Sequence, residues 1–139
     1  MGFKNPKSLN MNKSILVTAA LFGLLAVVLG AFAAHGLQKL VTPEQINTFQ
    51  TGVTYQMYHA FLLLFLGVTT KVSVKTKRAV FVLILIGVFF FSGSIYGLAT
   101  NSLTAFNFKT IAMITPLGGT LLISAWLVLL ISFLKQKQD

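Results

Sequence analysis

Few side chains in this sequence can do acid–base or ligand chemistry, and most of them fall between Gly30 and His59. That stretch, GAFAAHGLQKLVTPEQINTFQTGVTYQMYH, holds both histidines, His35 and His59. It also holds Glu44, the one acid before the terminal Asp139. Imidazole and carboxylate are the side chains of general bases and metal ligands. No HxxxH or HExxH spacing joins them, and there is no cysteine for a thiolate site. A nucleophile elbow, a pair of carboxylates and a phosphate loop are likewise missing from the sequence. We therefore expect no catalysis, no bound metal and no cofactor. What remains is a set of polar side chains in very apolar surroundings.

Composition says what those surroundings are. The chain has 139 residues, 55% of them hydrophobic and only 9% charged, and its mean hydropathy is +0.83. Soluble domains carry about 25% charged residues. The net charge of +9 could suggest nucleic acid. Basic residues that read nucleic acid lie in a stripe among other polar residues. Here they fill short gaps between apolar runs, as membrane flanks do, so the expected partner is the lipid bilayer and not nucleic acid.

Four segments are expected to span. Residues 15–34 are uncharged, and about 20 residues suffice for roughly 30 Å of hydrocarbon. A signal peptide competes here, with Ala31-Phe32-Ala33 as a cleavage site, but its core would be about 7–15 residues. Ala19, Gly23, Ala26, Gly30 and Ala33 put small residues on one face of this span, where another helix backbone can approach. Thr42-Pro43-Glu44-Gln45 reads as a capping box with proline in the first turn. One helix is expected from Pro43 to about Thr70, bent at Gly52. Its first part is an amphipathic segment in the first outer loop, and its span covers about 53–70. Ile46, Phe49, Val53, Met57, Phe61, Leu64 and Val68 form an apolar stripe, while Thr48, Gly52, Tyr55, Gln56 and His59 form a polar one. Lys71 to Arg78 reads as a basic loop. The third span is 79–99, with Gly93 and Gly97 as a GxxxG contact face. The fourth is 116–134, capped at Thr115, opening with Gly118-Gly119 and carrying Trp126 as a packing or lipid-facing residue. Residues 1–14 and 135–139 are tails. Met1-Gly2 is not a myristoylation start, because Pro6 stands where Ser or Thr is needed; Met11 is an alternative initiator.

Nine of the eleven Lys and Arg lie in the tails and the 71–78 loop. The positive-inside rule then puts both termini in the cytoplasm of a cell whose plasma membrane the chain crosses. The outer side gathers the end of span 1, the start of span 2, the end of span 3 and the start of span 4. His35, Tyr55, Gln56, His59, Ser92, Tyr96 and Thr115 are thereby expected to share one neighbourhood. Unpaired polar groups in lipid are costly, so they should turn inward. The bland role for them is mutual hydrogen bonding that fixes helix register. The sharper one is a site or pathway for an ion or a small polar ligand. Gly23, Gly30, Gly93, Gly97, Gly118 and Gly119 are expected to be helix-packing positions, within the bundle or towards a second copy or another membrane protein.

GAFAAHGL, YQMYHA, FSGSIYGLA and TPLGG, in that order, resemble the small membrane-protein family known as domain of unknown function 423, over about residues 15–134. That family includes bacterial inner-membrane proteins and the eukaryotic transmembrane protein 256. The resemblance implies a multi-pass membrane protein and no activity. Ala33 stands where many members have glycine, which implies slightly looser packing there, and the first ten residues precede the usual start. The expected fold is all-α, a four-helix transmembrane bundle.

Overall fold

A computed structural model describes residues 5–137; Met1, Lys4 and Asp139, in the ends of the two tails, lie outside the described residues. Four helices form, α1 (Pro6–His35), α2 (Pro43–Val68), α3 (Val74–Ala99) and α4 (Ile114–Leu134), with short 3-10 turns between them and no strand among the described residues. All-α architecture is thus what the sequence patterning indicated. Three stretches are long and apolar enough to cross a membrane: Pro6–Lys39, Val74–Ala99 and Phe108–Leu134. Outward faces are apolar as well, with Val27, Phe61, Phe89 and Ile123 all exposed. A helix bundle in water would bury such residues; one in lipid need not.

Local chemistry moves several boundaries. α1 starts at Pro6 instead of residue 15, because the Asn5 side chain accepts from the Lys7 N–H and proline occupies the first turn. The expected N-terminal tail is therefore mostly helix. In α2 the capping box forms as read: Thr42 Oγ1 accepts from Gln45 N–H (3.2 Å) and Gln45 Oε1 accepts from Thr42 N–H (2.9 Å). The amphipathic segment is the first part of α2 itself, and the loop before it is only Gly36 to Thr42. Ser73 caps α3, so Lys75, Lys77 and Arg78 belong to its first turns and not to a loop. At α4 the expected cap is not used. The helix begins at Ile114, one residue before Thr115, whose hydroxyl turns to α3 instead.

The short connections force neighbouring helices antiparallel, and α1 packs on α2, α2 on α3 and α3 on α4. Side-chain bonds tie each end. Lys77 donates to Asn12 Oδ1 (3.0 Å), and Gln136 donates to the Lys71 carbonyl. At the opposite end Gln45 donates to Ser102 Oγ (3.4 Å). Both termini thus share one end of the bundle. Two apolar cores form. The larger, around Leu63, Leu66, Val80, Ile84, Leu122 and Ala125, lies towards the termini. The smaller, Ala33, Leu37, Phe49 and Ala99, closes the other end. Ala33 is fully buried there. Between the two cores lie the buried polar side chains Gln56, His59, Ser92 and Ser94.

Candidate functional site

That polar layer is made of three small knots, the first joining α1, α2 and α3, the second α2 and α4, and the third α3 and α4. The first is centred on Gln56 of α2. Its amide donates to the Phe22 carbonyl of α1 (2.8 Å), and its oxygen accepts from the Tyr96 hydroxyl of α3 (2.7 Å). Ser92 adds a second link from α3, donating to the Gly52 carbonyl (2.7 Å). This is possible because Gly52 has no side chain. A Cβ there would lie 2.7 Å from the Tyr96 ring. α2 runs through Gly52 as one continuous helix.

The second knot joins α2 to α4. His59 Nδ1 lies 2.7 Å from the Tyr55 carbonyl, and Trp126 Nε1 lies 3.2 Å from His59 Nε2. A carbonyl and an indole N–H each allow one role, so Nδ1 donates and Nε2 accepts, which fixes the imidazole as its neutral Nδ1–H tautomer. Trp126 is therefore neither simple packing nor purely lipid-facing. The third knot is Ser94 with Thr115, hydroxyl to hydroxyl at 2.5 Å, across α3 and α4.

Of the remaining candidates His35 stands apart, whereas Tyr55 borders the second knot, its ring centroid 6.5 Å from that of His59. His35 is exposed at the end of α1, and Tyr55 is partly exposed with its ring against Phe91 at a centroid distance of 5.0 Å. Among the described residues no three His, Asp or Glu side chains converge as a metal site would require. Of the residues expected to share one neighbourhood, the structure joins Tyr96 and Ser92 to Gln56 and Gly52 of α2, Tyr55 and His59 to each other one turn along α2, and Thr115 to Ser94, while His35 lies apart from them. Helical spacing placed Gln56 and His59 on the inward face of α2 but could not say which neighbour each would meet.

Glycines divide the same way. Gly23 and Gly30 face Ala60 and Val53 of α2 at ordinary contact distance. Gly118 meets the backbone of α3, where a Cβ would fall 2.4 Å from Phe91 N. Gly119 lies against the Phe91 ring, and Gly97 against the Phe108 ring of the following loop. Gly93 meets no neighbour: beyond its own stretch of helix backbone, no heavy atom lies within 4 Å of where its Cβ would be. The GxxxG pair is thus not a helix contact within this bundle, because α1 lies across a gap. Gly87, Ser94, Trp126 and the buried Lys77 are the residues sequence reasoning missed. Gly87 alone carried a signal, a small residue one helical turn and a half before Gly93.

Beside the first knot lies an apolar groove between α1 and α3, a cavity of about 540 Å³ with Gln56 and Tyr96 among its lining residues. A smaller cleft of about 270 Å³ runs beside His59 and Trp126.

A sequence model described as Protein of unknown function (DUF423) matches residues 29–119, which include Gln56, His59, Ser92, Ser94, Tyr96 and Thr115 but neither Phe22 nor Trp126. The chain belongs to this family. Similar proteins include a UPF0382 membrane protein of Staphylococcus aureus, 38% identical over 88% of this chain and 97% of its own length. Another, from Haemophilus influenzae, is 36% identical over 91% of this chain and 98% of its own, and YwdK of Bacillus subtilis is 35% identical over 88% and 98%. No solved structure matches the chain. This DUF423 protein is thus a membrane protein of unknown function, and its apolar exterior is a lipid-facing one.

Proposed function

We propose that this DUF423 protein is a multi-pass plasma-membrane protein with four spans and cytoplasmic termini, acting without catalysis as a membrane-embedded assembly element. One observation carries the reading. Among the described residues, every buried side-chain nitrogen or oxygen has a hydrogen-bond partner. An ion or polar-solute pathway leaves polar atoms facing a lumen. Here they bond one another or backbone carbonyls, and they fasten α1 to α2, α2 to α3, and α2 and α3 to α4. α2 is too polar to be recognised as a span by composition. Its antiparallel contacts with α1 at three levels, Gly30 to Val53, Gly23 to Ala60 and Leu16 to Gly67, support it as the fourth. Among the described residues, the end where α1 begins and α4 ends carries eight of the ten Lys and Arg, which supports its cytoplasmic orientation. A further copy or another membrane protein would meet the exposed apolar faces.

Reporter fusions after Val72 and after Thr104 should lie on opposite sides of the membrane, with the first cytoplasmic. Fusions on the same side would end the four-span reading. In proteoliposomes, ion flux should match protein-free vesicles; a flux that His59→Leu abolishes would establish a pathway instead. Binding of a ligand is the second reading, and the groove beside Gln56 is what favours it.

A further inference from the structure

We propose that the groove between α1 and α3 is a binding site for a neutral, lipid-soluble ring carbonyl compound of the quinone class, its tail lying along the groove. The inference is independent of the assembly reading above, because it concerns the outer face of the first knot.

Size comes first. A cavity of about 540 Å³ falls within the range of small-molecule sites, about 300–1,000 Å³. Its walls are Leu25 and Leu29 of α1 and Phe89 and Phe90 of α3, and none of its lining residues is charged. Ions and charged headgroups therefore find no partner there. Leu25 and Phe89 are exposed, at 42% and 74%, so the groove opens sideways to the bilayer and a lipid-soluble molecule can enter directly.

The floor is what distinguishes a ligand site from a crevice between helices. Gln56 lines the cavity and is 5% exposed. Its amide has two N–H groups, of which one donates to Phe22. Its oxygen already accepts from Tyr96. The amide retains a second N–H beyond these bonds, and in an apolar cavity that Gln56 lines, the complement of such a donor is an uncharged acceptor oxygen.

Depth selects the kind of molecule. Val53 faces Gly30 and Ala60 faces Gly23, so Gln56 is level with Ala26 and Val27 of α1. At roughly 1.5 Å per residue that is within about 5 Å of the middle of the apolar run 15–34. The ester carbonyls of a glycerolipid lie at the edge of the hydrocarbon, about 15 Å from its middle. A lipid acyl chain in the groove would present only methylenes to the amide. A ring carbonyl on an apolar tail brings its acceptor to that depth. Gly93 leaves the space beside the pair clear, with nothing within 4 Å of its Cβ position.

The test uses the full chain in nanodiscs of defined lipid, labelled with an azido-substituted alkylquinone and mapped by mass spectrometry. Labelling should fall on residues 22–29 and 85–93. It should be competed by decylubiquinone but not by decanol, which has the tail and no ring. Gly93→Leu should cut labelling by about tenfold or more, with the melting temperature retained. Leu25→Trp, which fills the groove from the other wall at an exposed position, should do the same and serves if Gly93→Leu folds poorly. Labelling elsewhere, labelling that neither variant lowers, or equal competition by decanol would overturn the proposal. So would a dimer that both variants convert to monomer, which would make a second copy the occupant.

Discussion

α3 has two flanks that differ in what meets them. On one, Gly87 and Gly118 let α3 and α4 come into backbone contact; a Cβ on Gly118 would fall 2.8 Å from Phe90 C and 2.9 Å from Gly87 O. On the other, Gly93 looks across an open groove towards α1. All three residues are glycine in apolar helix, and all three could be read as packing positions. In lipid there is no hydrophobic force to close a gap between helices, so close approach depends on which backbones are adjacent. α1 is held by α2, and α2 stands between it and α3. One flank is sealed by shape, and the other is bridged only at its floor by the Gln56–Tyr96 pair.

Breaking the sealed flank should have the largest effect. Gly118→Ala places a methyl against main-chain atoms that no rotamer change can move. The two helices must separate, with a loss at or above the upper end of the about 1–3 kcal/mol typical of overpacking. Gly87→Ala meets mainly the Leu122 side chain, at 2.7 and 3.0 Å, which can rotate away, so it should cost nearer to about 1 kcal/mol. Thermal unfolding in detergent reads both. A Gly118→Ala protein that melts with the wild type would mean the seam is loose and the two flanks are alike.

The bridged flank should respond less, and through polar loss instead of steric clash. Gln56→Leu leaves the Tyr96 hydroxyl and the Phe22 carbonyl without their side-chain partner, a cost of about 1–2 kcal/mol in a membrane setting. His59→Leu strands the Trp126 N–H and should cost about 1 kcal/mol. His35→Leu, at an exposed position, should leave the melting temperature unchanged. Equal melting for His59→Leu and His35→Leu would show that the α2–α4 knot carries no stability. A His59→Leu loss larger than that of Gln56→Leu would shift the main fastening of α2 from α3 to α4.

How much of this was legible follows from what helical periodicity encodes. It gives depth and face for each residue on its own helix, so the cap at Thr42, the inward turn of Gln56 and His59 and the small face of α1 all read correctly. It does not give neighbours. Trp126 looked like a packing or lipid-facing residue because its partner, His59, lies 67 residues away. Thr115 followed by Pro116 looked like a cap, yet the helix begins earlier and the hydroxyl is used across the seam. Lys77 looked like one more loop charge. Instead the Ser73 cap carries it into α3, where it reaches Asn12 and is buried. Ser94 escaped notice since only its pairing with Thr115, not its position in SGSIYG, separates it from Ser92.

Among the three glycines the smallest effect is expected at Gly93, and it is the sharpest test of the comparison. Six residues from Gly87 on the same helix, Gly93 has no neighbour for a new methyl to strike. Alanine also restricts the unfolded backbone more than glycine and is the better helix former, by up to about 1 kcal/mol in water. Gly93→Ala should therefore melt at or slightly above the wild-type temperature, while Gly87→Ala and Gly118→Ala melt below it. The sign is the point: one substitution at three glycines, with opposite outcomes set only by what stands opposite each. A clear destabilisation by Gly93→Ala would mean that another helix occupies the groove in the detergent-solubilised protein. The two flanks of α3 would then both be packed, one within the chain and one between chains.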